Sequence, residues 1–153
     1  MIYLLTAIGA FFGDLFLKQK ADENLSATDE KEFLKGRIIF RKHYNRGAIF
    51  DSLQKWPDLV RGANAIALGL LSIVWLLFLR TPGNAKKKLG GALMVGGGAG
   101  NLYDRLKKGY VVDYFSIKTP FPKFSRIVFN LSDLFLFIGS ALVLFSKDTN
   151  NEV

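Results

Sequence analysis

The chain contains no cysteine in 153 residues. That excludes a disulfide framework, a thiol nucleophile and a cysteine-ligated metal. Histidine is almost absent as well: His43 is the only one, and it sits among charged residues of a polar stretch. A lone histidine argues against a histidine-based zinc site and against a Ser-His-Asp triad. A Ser-Lys dyad is poorly served too, because no serine lies near Lys18 in sequence and Ser132 would need a buried base. Residues 62–79 (GANAIALGLLSIVWLLFL) carry no charge at all. Residues 1–7 lack Lys and Arg, and no small-x-small site follows the first apolar run before Lys18. The first run is therefore expected to be a retained helix and not a cleaved signal peptide. The glycine-rich stretch 89–100 lacks a following Lys-Ser/Thr, so it is not a nucleotide-binding loop.

What is present is apolar sequence kept apart from charge. Half of the residues are hydrophobic, yet they fall in four runs: 2–17 (broken by Asp14), 62–79, 89–103 and 131–145 (broken by Asp133 and two serines). The second would span about 27 Å at ~1.5 Å per residue, close to the thickness of a bilayer's hydrocarbon core. The expected architecture is an all-α membrane protein, a single integral-membrane domain over 1–153. Its four spans are expected at about 2–19, 62–79, 88–104 and 130–146, with outer loops at about 20–61 and 105–129. A soluble bundle with buried helices competes, but the length of the second run disfavours it.

The net charge of +8 would point to nucleic acid in a soluble protein; here the cations cluster in loops, and no nucleic-acid partner is expected. The short loop between the second and third runs (Arg80, Lys86, Lys87, Lys88) is basic and free of acids, so it reads as cytoplasmic. Both termini are then cytoplasmic as well. The second outer loop is also basic (Arg105, Lys107, Lys108, Lys118, Lys123, Arg126) and could meet anionic headgroups of membrane lipids. Residues 20–35 are polar and expected to form a linker or a short surface helix starting at Ser26 or Thr28. Segments 36–50, 110–117 and 124–129 favour strand. Together they are expected to build a small outer sheet, with a turn at Asn45-Arg46-Gly47.

Two acids stand out. Asp113 lies in the apolar run Tyr110-Val111-Val112-Asp113-Tyr114-Phe115, with no local partner, and Asp133 opens the last apolar run. An acid costs about 2.5–3.5 kcal/mol at a helix centre in the membrane and less near the interface, so such residues are functional candidates. Asp14 and Lys18 share a helix face at i, i+4 and could simply form an ion pair. Asn101, Asp104 and Arg105 end the third run, while Asn130 and Asp133 have the spacing of a capping box. Gly96 and Gly100 have the spacing that lets membrane helices approach closely. All of the polar groups fall at the outer ends of the runs or in outer loops, so packed helices would gather them in one pocket. Two carboxylates held a few Å apart share one proton, which suits aspartic-protease chemistry and needs no metal or cofactor.

The segments Asn45-Arg46-Gly47-Ala48-Ile49-Phe50, Gly98-Ala99-Gly100-Asn101-Leu102-Tyr103-Asp104-Arg105, Val111-Val112-Asp113-Tyr114-Phe115 and Phe129-Asn130-Leu131-Ser132-Asp133 occur in that order. They resemble the motifs of the bacterial lipoprotein signal peptidase (signal peptidase II) family, and Asp14-Leu15-Phe16-Leu17-Lys18 resembles its first-helix Asp-x-x-x-Lys element. The resemblance covers essentially the whole chain. It implies an aspartyl endopeptidase of the bacterial inner membrane that removes signal peptides from diacylglyceryl-modified prolipoproteins, cutting before the lipidated cysteine. It maps the catalytic pair onto Asp113 and Asp133, and supporting residues onto Asp14, Lys18, Asn45, Gly47, Asn101, Arg105 and Asn130. It also implies four transmembrane helices with a small extracytoplasmic β-cradle and a surface helix, a monomer without a cofactor, and the inhibitor globomycin in the dyad pocket.

Three features depart from the family pattern. Ser132 stands where alanine is usual, Ala48-Ile49-Phe50-Asp51 replaces Ala-Ala-Phe-Ser, and the loop 20–36 is strongly charged. The Ser132 hydroxyl is expected to reach Asp133. The rival readings are a diverged, non-catalytic membrane protein that binds lipidated peptides or lipids, and a small proton-coupled transporter using Asp14 and Asp133.

Overall fold

The computed structural model describes residues 1–26, 28–47 and 53–146. Its long helices are α1 (Ile2–Asn24), α2 (Pro57–Arg80), α3 (Ala85–Lys107) and α5 (Leu131–Leu144). Three strands, β1 (Lys31–Phe33), β2 (Ile38–Asn45) and β3 (Val111–Ile117), and the four-residue helix α4 (Pro122–Ser125) complete it. The expected spans 2–19, 62–79 and 88–104 lie within α1, α2 and α3. Residues 130–146 hold the shorter α5.

Helix starts follow local chemistry. Pro57 opens α2, where its fixed φ fits and its missing N–H costs nothing, and Asp58 adds an acid to the first turn. Asn84 caps α3 by accepting from Lys87 N, and Arg105 and Lys107 complement its C-terminal dipole. At α5, Asn130 accepts from Asp133 N while the Asp133 side chain accepts from Asn130 N, a complete capping box.

The packing is inside-out relative to a soluble bundle. Most side chains fully withdrawn from the surface are small or polar, among them Ala92, Asp14, Lys18, Asp104, Asn130 and Ser132, whereas Leu4, Leu5, Ile66, Leu70, Leu76 and Leu77 lie exposed. Among the described residues, two helices, α1 and α2, are long and apolar enough to cross a membrane. Exposed aliphatic faces of this extent call for a lipid surround.

Helix α3 lies at the centre, packed against α1, α2 and α5. Its glycines permit this. A methyl group added at Gly96 would overlap the Ala7 carbonyl of α1, and one at Gly97 would come 2.8 Å from the Ser132 carbonyl of α5. At Gly91 it would overlap the Trp75 ring of α2. At Gly100 it would sit 2.5 Å from Asp14 Oδ2 and 2.9 Å from Ser132 Oγ. The small-residue spacing is thus used for close approach.

The sheet is antiparallel in the order β1-β2-β3. The register sets Ile38 opposite Ile117 and His43 opposite Asp113, with an irregularity between Phe40 and His43. Two expectations need correction. No helix begins at Ser26 or Thr28: α1 runs on to Asn24, and Lys31–Phe33 becomes an edge strand paired on one side only. Segment 124–129 is not a strand: Pro122 starts a helical turn, and only Phe129 joins β3, through a bridge to Phe115.

Tight glycine contacts should be visible as stability. Gly96→Ala is expected to destabilise the protein by about 1–3 kcal/mol through overpacking, whereas Gly13→Ala, where nothing lies within 4 Å of the added carbon, should be neutral or slightly stabilising. Thermal unfolding in detergent compares the two variants.

Candidate active site

The polar residues singled out in the sequence meet where the ends of α1, α3 and α5 approach the sheet. Lys18, fully buried, is the link between α1 and α3. Its Nζ lies 2.6 Å from Asp14 Oδ2 and 3.4 Å from Asp104 Oδ2, and it donates to Asn101 Oδ1 at 2.7 Å. A lysine can only donate. It therefore holds the Asn101 carbonyl toward itself and turns the amide nitrogen toward Asp133 Oδ1, which accepts at 3.3 Å.

Asn130 joins the two aspartates. Its Nδ2 donates to Asp113 Oδ1 at 2.6 Å and to Asn101 Oδ1 at 3.2 Å, while its backbone N donates to Asp133 Oδ2 at 3.0 Å. Asp113 Oδ2 accepts from Asn45 Nδ2 at 3.1 Å. Asn45 is itself fixed by its turn, since Gly47 N donates to Asn45 Oδ1 at 3.1 Å. Arg105, reaching up from α3, donates from Nη2 to the Gly47 carbonyl at 2.6 Å. All nine site residues named from the sequence thus fall in one hydrogen-bonded assembly. The continuation Ala48-Ile49-Phe50-Asp51 lies outside the described residues.

The first turn of α5 receives an acceptor for each of three N–H groups. Leu131 N donates to Tyr114 Oη at 3.2 Å, Ser132 N to Asp14 Oδ1 at 2.9 Å, and Asp133 N to Asn130 Oδ1 at 3.1 Å. Asp14 is therefore more than the ion-pair partner of Lys18: it anchors the helix that carries Asp133.

Burial raises the Asp113 carboxyl most, and the nearby Asp133 charge raises it further; hydrogen bonds from Asn130 and Asn45 and the Lys18 charge pull it partly back. The result is a pKa of about 7. Burial, then the Asp14 charge, also push the Tyr114 phenol up, so it stays protonated. Two carboxylates joined through Asn130, one holding its proton near neutrality, can act as joint general acid and base.

Sequence reasoning left out two participants. Asp104 was visible as the middle member of Asn101, Asp104 and Arg105, and it bridges Lys18 and Lys108, the latter at 3.1 Å. Tyr114 gave no signal beyond being a polar-tipped ring inside an apolar strand. One expectation fails: the Ser132 hydroxyl does not reach Asp133. It is fully buried against Gly100 and has no hydrogen-bond partner among the described residues.

Residues 6–147 match the family model described as Signal peptidase (SPase) II. A protein named lipoprotein signal peptidase from Mesorhizobium japonicum is 34% identical over 146 residues, covering 95% of this chain and 84% of the relative. One of the same name from Brucella ovis is 33% identical over 145 residues, covering 94% and 88%. Among solved structures, a bacterial membrane enzyme determined by the in meso method at 2.3 Å resolution has a similar fold. It superposes with a TM-score of 0.80 at 22% identity, over 99% of this chain and 94% of that one.

Because the Ser132 hydroxyl is buried without a partner among the described residues, Ser132→Ala should leave peptidase activity unchanged and keep or raise the melting temperature. The gain is bounded by the ~1–3 kcal/mol that an unsatisfied buried group costs. A large loss of turnover would show that the hydroxyl serves the dyad after all.

Proposed function

The chain belongs to the signal peptidase II family, and from that membership we propose that it removes signal peptides from diacylglyceryl-modified prolipoproteins with Asp113 and Asp133 as its catalytic pair. The observation that carries the assignment is the double role of Asn130, whose side chain donates to one aspartate while its backbone donates to the other. Such a link holds two carboxylates in fixed relation, as shared-proton chemistry requires.

In the proposed reaction the pair holds one proton. The ionised carboxylate takes a proton from a water molecule as its oxygen bonds to the scissile carbonyl carbon, and the protonated partner polarises the carbonyl oxygen. Collapse of the tetrahedral adduct breaks the C–N bond, and a proton passes to the leaving nitrogen. Asn45, Asn101 and Asn130 orient the carboxylates; Lys18, Asp14 and Arg105 hold those amides and the helix start in place; Gly47 closes the turn that presents Asn45.

The protein is embedded in a membrane, and the proposal extends to its topology. Helices α1, α2, α3 and α5 cross the bacterial cytoplasmic membrane, both termini are cytoplasmic, and the aspartates lie near the extracytoplasmic face under the sheet. The short basic loop between α2 and α3 supports this orientation. Helix α5 has only 14 residues, about 21 Å at ~1.5 Å per residue. A helix this much shorter than the ~30 Å hydrocarbon core supports a position for its N-terminal Asp133 below the extracytoplasmic boundary. The enzyme is proposed to work as a monomer, in contact with membrane lipids, and to bind globomycin at the dyad.

Asp113→Asn and Asp133→Asn should each reduce cleavage of a diacylglyceryl prolipoprotein by at least the 10²–10⁴-fold (roughly) attributed to general acid–base catalysis, with the protein still folded as judged by circular dichroism in detergent. Full activity in either variant would refute the assignment.

The pH dependence has a defined sign. A carboxyl raised to about 7 keeps its proton below that value and loses it above, so the pair becomes doubly ionised as pH rises and loses its acid. The kcat/KM of the wild type, measured in one detergent across pH, should therefore fall on the alkaline side through about pH 7. A profile flat from pH 6 to 9 (roughly) would contradict the shared-proton pair.

A further inference from the structure

Between β3 and α5 the chain makes a turn that the catalytic assembly does not use. Residues 118–129 (KTPFPKFSRIVF) contain three cations and no acid. Phe121 and Phe124 project from this turn, 66% and 61% exposed. Their rings pack edge to face on each other with centroids 6.3 Å apart. Lys118, Lys123 and Arg126 of the same turn are exposed as well.

The turn is rigid. Thr119 N donates to Ser125 Oγ at 2.9 Å, and Ser125 Oγ donates back to the Thr119 carbonyl at 3.1 Å. Arg41 of β2 clamps it from the side, donating to the Ser125 carbonyl at 2.8 Å. Pro120 and Pro122 restrict the backbone on both sides of Phe121. Two aromatic rings are thus held out from the protein on a braced support, at the cost of apolar exposure that a core position would have avoided. Three exposed cations on the same turn as two exposed aromatic rings, just before α5, match the chemistry of an anionic bilayer surface. Aromatic rings favour the headgroup level, and Lys and Arg near the surface are attracted to anionic lipid.

We propose that the Lys118–Arg126 turn is an interfacial anchor, with Phe121 and Phe124 seated in the headgroup region of an anionic bilayer and Lys118, Lys123 and Arg126 against lipid phosphates. The proposal rests on the reading of α5 as a membrane helix. It adds a function to the turn: Asn130 follows only four residues after Arg126, so the anchor sets the depth at which the capping box and Asp133 are held.

The absence of cysteine makes a direct test clean. A nitroxide is attached to Phe124→Cys in the full chain, reconstituted in bilayers rich in phosphatidylglycerol or made of phosphatidylcholine alone. Collision with oxygen, which concentrates in lipid, is compared with collision with a water-soluble nickel chelate. An exposed α5 position, Ile138→Cys, reports separately whether the helix is in lipid. The expected result is an oxygen-to-nickel collision ratio at Phe124 severalfold above that of an aqueous nitroxide. It should be larger in the anionic bilayer, and Lys118→Gln/Lys123→Gln/Arg126→Gln should abolish the difference between the two lipids. If Ile138 lies in lipid while Phe124 behaves as an aqueous site, the anchor is refuted and the membrane reading of α5 stands. Aqueous behaviour at both refutes the membrane reading as well. Protection of Phe124 from both collision partners would show that protein covers the tip, and equal depth in the two lipids would refute the headgroup contacts; either overturns the proposal.

Discussion

A helix that begins in a water-poor setting must find acceptors for its first N–H groups, and much of this protein is arranged around that requirement at α5. The partners come from three places: the phenol of Tyr114 on β3, the carboxylate of Asp14 on α1, and the side chain of the cap residue Asn130. Each satisfies a donor that would otherwise cost about 1–3 kcal/mol when buried. Together they tie sheet, first helix and last helix at one point. Asp133 sits in that turn, so the same bonds that complete the helix fix one of the two proposed catalytic aspartates.

The second constraint is the approach of α3. A polar link such as Lys18 to Asn101 works only if the helices carrying it lie close together, and the glycines of α3 make room for that. Gly100 shows the dependence most directly, because the space its missing side chain leaves is bordered by Asp14 and by Ser132. The large aliphatic side chains take little part; they face outward, and the specificity of the interior comes from small residues and from charge-assisted hydrogen bonds.

Much of this was legible beforehand because the informative residues violate their surroundings. Asp113 is an acid in an apolar strand, the Asp14 and Lys18 spacing puts both on one helix face, and Asn130 with Asp133 fits a cap. Topology alone predicted that they would converge. What stayed hidden depends on orientation or on one-sided pairing. Tyr114 contributes through its hydroxyl, and nothing in the sequence says which way that hydroxyl points. The Ser132 side chain turned toward Gly100 and away from Asp133, a choice of rotamer that adjacency in sequence cannot reveal. β1 is a charged edge strand, Lys31-Glu32-Phe33, exposed throughout, so it lacks the alternation that marks a half-buried strand. In 124–129, strand-prone side chains were overridden by Pro122 and by the Thr119 and Ser125 hydrogen bonds that curl the chain.

The donors around the aspartates have a further consequence. Each of the four carboxylate oxygens accepts from an amide: Asn130 and Asn45 side chains on Asp113, the Asn101 side chain and the Asn130 backbone on Asp133. Amides neither gain nor lose protons across the range in which carboxyls titrate. These bonds therefore keep one polarity while the pair changes charge, unlike contacts to histidine or to a third acid. In the proposed reaction, a proton shared by the two aspartates would therefore be exchanged within a frame of donors whose polarity does not change.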